Sequence, residues 1–226
     1  MEPISHLALA AMAFLVTHAV ASTPLRGALV ASLGESPYLG AYSLVSFLTL
    51  GWMIYAYLHA PFIPLWQASG YKLAPLFVMP FALILLACGI MSRNPTAVRQ
   101  ESALKSEEPA RGILRLTRHP VMWGFSLWAA VHLLARGDTA ALIFFGAFLV
   151  LALSGTALID RRKAGTLGED WTRFAAVTSN IPFLAIIEGR NHFRLAEIGW
   201  AKILTGLVLY AVFFGLHPYL FGARPY

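Results

Sequence analysis

Long apolar runs separated by short charged stretches dominate the chain. Six stand out, at 4–22, 40–60, 72–91, 119–135, 139–159 and 199–217. Each is close to the roughly 20 residues that a helix needs to cross a bilayer. A backbone in lipid must satisfy its own hydrogen bonds, so helices are the expected spanning form. The pattern predicts an all-α fold: a polytopic membrane helical bundle of about six transmembrane helices, forming a single domain over residues 1–226. Arg136-Gly137-Asp138 leaves chain for only a tight turn, so the fourth and fifth spans form an antiparallel hairpin. Pro120 opens the fourth span where its missing N–H costs nothing. Pro75 and Pro80 predict a kink in the third.

Two stretches between the spans are polar. Residues 92–118 mix charge with Pro95 and Pro109 and carry little apolar periodicity, which reads as a solvated, partly flexible linker. In 160–198, Leu167, Trp171 and Phe174 recur at helical spacing opposite Glu169, Asp170 and Arg173. That spacing predicts a short interfacial helix lying on the cytoplasmic membrane surface.

Composition agrees with the pattern. The chain is 58% hydrophobic and 12% charged, and its mean hydropathy is +0.66. Soluble domains carry about 25% charged residues. The net charge of +6 would suit a nucleic-acid partner, but its placement argues otherwise. With six spans, only Lys72, Arg136 and Arg224 fall on one face, and the other 14 of the 17 Lys and Arg fall opposite. The positive-inside rule makes the basic face cytoplasmic and puts both termini on the far, periplasmic side of a bacterial inner membrane. Topology thus accounts for the charge, and the expected partner is the lipid bilayer, with no nucleic acid. The N-terminus has Glu2 and no basic region, so 4–22 reads as a first span rather than a cleaved signal. Cys88 is the sole cysteine, which excludes an intrachain disulfide and a Cys-x-x-Cys site. No P-loop, dinucleotide fingerprint or His-Glu-x-x-His pair occurs. Oligomeric state is left open.

The candidate chemistry lies in seven histidines. His192 falls in a polar loop, His119 and His217 flank prolines at helix ends, and His6 lies near the chain start. His18 and His132 lie inside spans, where an imidazole is costly and calls for a functional reason. His59 ends the second span. Imidazole binds metals and haem iron, so His18, His59 and His132 are the cofactor candidates. Depth limits the pairing. His132 lies 14 residues beyond Arg118, about 21 Å along a helix. His18 precedes Ser22 by four residues, about 6 Å from the same face. An axial pair of His18 and His132 requires the first helix to continue through Ser22–Val30 past Pro24. Otherwise His59 is the better-placed partner of His132.

Two blocks of residues carry a resemblance. The first is Arg115-Leu-Thr-Arg-His-Pro120 with Trp123-Gly124, Leu127-Trp128 and His132-Leu133. The second is Asp160-Arg161-Arg162-Lys163, Gly168-Glu169-Asp170-Trp171, Ile181-Pro182-Phe183 and Glu188-Gly189-Arg190. Together with His217-Pro218 they resemble the NnrU family, closest to its zeta-carotene isomerase branch. The resemblance implies haem b, axial ligands at His18 and His132, and conversion of a 15-cis double bond to trans in an apolar polyene substrate. It also carries a departure: plant isomerases have a cysteine three residues before the second histidine, as an alternate iron ligand, and Ala129 stands there. Other bacterial members imply an alternative, a non-catalytic factor in denitrification or nitric oxide metabolism. The blocks are also similar to isoprenylcysteine methyltransferases, which implies S-adenosylmethionine near Arg118, His119, Asp160 and Trp171.

Overall fold

The computed structural model describes residues 2–225. Each of the six apolar runs is helical: α1 (Pro3–Ala19), α3 (Glu35–Leu58), α4 (Ala74–Met91), α5 (Pro120–Arg136), α6 (Thr139–Val177) and α9 (Trp200–Phe221), with the short α2 (Pro24–Leu33), α7 (Leu184–Ile187) and α8 (Leu195–Ile198) between them. Five are long and apolar enough to cross a membrane, α1 being counted through Ser22. The remaining run, α5, has 17 residues, about 25 Å, and packs between α4 and α6. The helices neighbour one another in the order α3, α1, α6, α5, α4, α9. Their outward faces carry Phe47, Leu48, Phe77, Phe81 and Ile90 in the open, as helices facing lipid do. The chain is a helical membrane protein.

The α5–α6 hairpin forms as the sequence dictates. Gly137 takes a left-handed conformation at φ 66° and its N–H closes on Leu133 O at 3.2 Å, the usual glycine stop. The fully buried Asp138 caps α6, accepting from Ala141 N at 3.0 Å. A Cβ at Gly137 would meet Trp66 O at 2.7 Å, so a loop strand from 63–66 also depends on this glycine.

Small residues let α4 and α9 close together. A Cβ on Gly206 would lie 2.6 Å from Ile84 Cα and 2.8 Å from Ile84 N, both backbone. Gly206→Ala is therefore expected to separate these helices and cost about 1–3 kcal/mol, read as a lower unfolding midpoint in detergent. Gly215, with nothing within 4 Å, is the control: Gly215→Ala gains helix propensity of up to about 1 kcal/mol.

Two expectations change, and the condition for pairing His18 with His132 is not met. The first helix does not run past Pro24: α1 gives way to a 3-10 turn at Val20–Ser22 and to extended Thr23 before α2 begins. His18 therefore stays near the end of its span. Residues 92–118 are not a solvated linker. They form 3-10 turns at Glu101–Lys105 and Gly112–Arg115 and bury Leu104, Ile113 and Leu114. The interfacial helix is the end of α6, which runs on to Val177 through a break at Gly168 (φ 53°, ψ −127°). Its Trp171 and Phe174 are buried against Leu104, Ile113, Leu114 and Cys88. Protein, not lipid, covers that apolar face.

Candidate functional site

A cavity of about 830 Å³ opens between α1, α3, α5 and α6, within the range of small-molecule sites. Phe14, Leu50, Met122, Phe125 and Phe148 give it apolar walls. Its basic end carries His119, Arg26, Arg162 and Lys163. On α5 it touches His119, Val121, Met122 and Phe125 and goes no deeper.

The His-Pro entrance of α5 is fixed by charge. His119, 2% exposed, places Nε2 2.7 Å from Asp160 Oδ1, and Arg118 Nε donates to Asp160 Oδ2 at 3.0 Å. A carboxylate only accepts, so His119 holds its proton on Nε2. Its Nδ1 is buried without a partner among the described residues. Arg118 also donates to Thr178 Oγ1 at 3.0 Å and lies 5.9 Å from the Trp171 ring. The four residues offered to S-adenosylmethionine are thus brought together, and Asp160 spends both oxygens on its neighbours.

A second ionic knot clamps the loops beneath. Arg115, 5% exposed, donates from Nε to Glu197 Oε2 at 2.7 Å, from Nη1 to Asn191 Oδ1 at 2.6 Å, and from Nη2 to Glu108. The Arg115 guanidinium holds the Glu197 carboxyl down to about 2, against the opposing effect of burial, with help from Gly112 N–H and Arg194. Because the folded value lies below the unfolded one, the folded state binds fewer protons between them. The stability this contributes is present above pH 4.5 and lost as pH falls toward 2. With solvent screening it is on the order of 1–3 kcal/mol. Acid titration of the unfolding midpoint checks this: the loss below pH 4.5 is expected to shrink in Glu197→Gln. On the other side of α6, burial raises Glu101, but the Lys163 ammonium outweighs it with its neighbours and holds the carboxyl below its usual value.

The histidines fall into separate settings. His18 lines the cavity. Its Nδ1 lies 2.7 Å from Phe14 O, and since a carbonyl only accepts, Nε2 keeps its lone pair. The same bond commits Nδ1 of His59 to Tyr55 O at 2.7 Å and of His132 to Trp128 O at 2.8 Å. His6 Nε2 is occupied, accepting from Trp52 Nε1 at 2.7 Å. His132 lies seven residues past Phe125, about 10 Å deeper along α5, stacked on Phe145 at 5.3 Å between ring centroids. The aromatic chain Phe14, Phe148, Trp128 stands between the two, with successive centroids 5.2 and 5.0 Å apart. The structure therefore does not bring His18 and His132 together, and His59, on an exposed helix end, meets Tyr55 instead.

Sequence reasoning missed the α3 wall. Tyr38 and Tyr42, one turn apart, stack at 6.1 Å, and both line the cavity. Tyr38 falls just before the apolar run at 40–60, and nothing in the sequence pattern marks the pair. Among the described residues no three His, Cys, Asp or Glu gather into a cage for a free metal ion. The cavity offers a ligand one imidazole whose Nε2 has no protein partner among the described residues, apolar walls and a cationic end with Arg26 and Arg162.

Fold and site together define an integral membrane protein with an internal, histidine-bearing cavity. The family model described as NnrU protein matches residues 6–225, and the chain belongs to that family. Over 80 residues it is 43% identical to 15-cis-zeta-carotene isomerase, chloroplastic, of Arabidopsis thaliana, and 38% identical to the protein of that name from Zea mays. The match covers 35% of this chain and 22% of each relative. No solved structure matches.

Proposed function

We propose that this chain is a cis–trans isomerase of a long apolar polyene, related in action to 15-cis-zeta-carotene isomerases, with haem b as its cofactor. The observation that carries the reading is the apolar cavity with His18 on its wall, in a chain sharing 43% identity over 80 residues with such an isomerase. A carotene dissolves in lipid, so a site between helices suits it. Phe14, Phe125 and Phe148 would hold the polyene by dispersion and keep water from it. Bound there, haem would supply an iron able to weaken the central double bond by coordination or electron transfer. His18 is the proposed ligand from the cavity wall. His132 stands as the second by family resemblance alone. Ala129, fully buried, offers no sulfur for ligand exchange. We place the basic loops in the cytoplasm, with both termini in the periplasm of a bacterial inner membrane.

Protein purified from haem-sufficient cells is expected to show a Soret band that His18→Ala abolishes and His132→Ala alters. A colourless, folded wild type would overturn the cofactor. Expression in a dark-grown host that makes 15-cis-zeta-carotene and lacks its own isomerase is expected to shift the pigment to the 15-trans form. Haem-loaded protein with unchanged pigment would instead support a non-catalytic factor of nitrogen-oxide metabolism.

A further inference from the structure

The four cations at the basic end of the cavity already have partners. Lys163 pairs with Glu101, and Arg26 with Glu35 at 3.7 Å. Arg99 donates to Ser36 Oγ at 2.7 Å and Arg162 to Ala21 O at 3.0 Å. The polar atoms left over on this wall belong to a phenol and an imidazole. Tyr38 Oη and His119 Nδ1 are both buried without a partner among the described residues, in residues at most 3% exposed. Neither side chain is loose. His119 is tied through Nε2 to Asp160 at 2.7 Å, and the Arg26 guanidinium lies over the Tyr38 ring at 5.7 Å. A buried polar atom whose hydrogen bond is unmade is costly, and native proteins keep few of them. Two on one cavity wall point to a ligand that supplies the bonds.

We propose that the cavity takes an isoprenoid alcohol: an apolar isoprenoid body along the aromatic walls, with a neutral hydroxyl at the end lined by Tyr38 and His119. A hydroxyl both donates and accepts, so it suits a phenol and an imidazole nitrogen whichever side of each bond holds the hydrogen. A plain hydrocarbon still enters, held by dispersion against Phe14, Phe125 and Phe148, but it binds more weakly because both polar atoms stay unpaired. The selectivity is therefore the kind a site built to hydrogen-bond a hydroxyl shows against the analogue that lacks it. This deepens the isomerase reading, on which it rests for the isoprenoid body of the ligand.

The test uses the whole purified chain in neutral detergent and labelled geranylgeraniol, displaced by the unlabelled alcohol, by the hydrocarbon of the same skeleton without the hydroxyl, or by geranylgeranoic acid. The alcohol is expected to bind about tenfold tighter than the hydrocarbon and tighter than the acid. Tyr38→Phe is expected to cut that preference to about threefold or less while raising the unfolding midpoint of the unliganded protein, a pair of effects that a packing role does not produce. His119→Gln, whose amide can keep the bond to Asp160 but puts no nitrogen at the Nδ1 position, is expected to cut it likewise. Partition into detergent is the same for every variant, so a change in preference reports the protein. Loss in either variant places the hydroxyl at that residue. Equal binding of alcohol and hydrocarbon, a preference unchanged in both variants, tighter binding of the acid, or no saturable binding of the label overturns the proposal. A midpoint that falls in Tyr38→Phe also overturns it, since the hydroxyl would then have a protein partner. These outcomes leave the isomerase reading standing, which the pigment assay decides.

Discussion

Arg115→Met is expected to cost about 3–5 kcal/mol, the range for breaking a buried ion pair from one side. The guanidinium joins three segments that are distant in sequence. It meets Glu108 in the loop before it, Asn191 after α7, and Glu197 in α8. Removing it leaves Glu197, whose side chain is only 14% exposed, without its main partner. The loss should be local first. The spans are held by their own apolar packing, while the turns over 92–118 and the tail of α6 share the second core. Limited proteolysis should therefore cut between Arg93 and Arg111 in the variant long before the helices unfold. Arg115→Lys is expected to recover only part of the loss, because one ammonium cannot reach Glu197, Asn191 and Glu108 at once.

Asp160→Asn should be nearly as damaging, by about 2–4 kcal/mol. Asp160 accepts from His119 on one oxygen and Arg118 on the other. An amide offers one oxygen and a donor, so one of the two donors loses its acceptor. His119 sits at the N-terminal cap of α5 and lines the cavity. Its release would loosen the ring beside the ligand space as well as the α5–α6 contact. Thermal unfolding of Asp160→Asn and Asp160→Glu checks this. The longer carboxylate is expected to keep more stability than the amide, and equal loss would show that charge is not what matters.

The spans and the α5–α6 turn were legible in the sequence because their determinants are local: apolar runs of bilayer length, Gly137 at the stop and Asp138 at the cap. The loop 92–118 was not. Leu104, Ile113 and Leu114 lack periodicity, and their partners Trp171 and Phe174 lie some sixty residues away. The amphipathic spacing of that tail was read correctly as helical, but spacing cannot say whether lipid or protein covers the face. The site was half legible. Counting residues from the charged ends placed His18 and His132 at different depths, and the break at Val20–Thr23 keeps them there. The cavity itself is built by four helices and has no sequence signature. Its Tyr38 and Arg162 are ordinary residues whose meaning comes from what they face.

The central claim is that the chain acts on a polyene inside its own cavity. The most direct measurement is dark incubation of the haem-loaded protein in lipid vesicles with 15-cis-zeta-carotene, with and without a reductant, followed by chromatography of the isomers. The account predicts many turnovers to the 15-trans form in the wild type and none with His18→Ala. An unchanged 15-cis pigment in both redox states, with folded haem-loaded protein present, would contradict it.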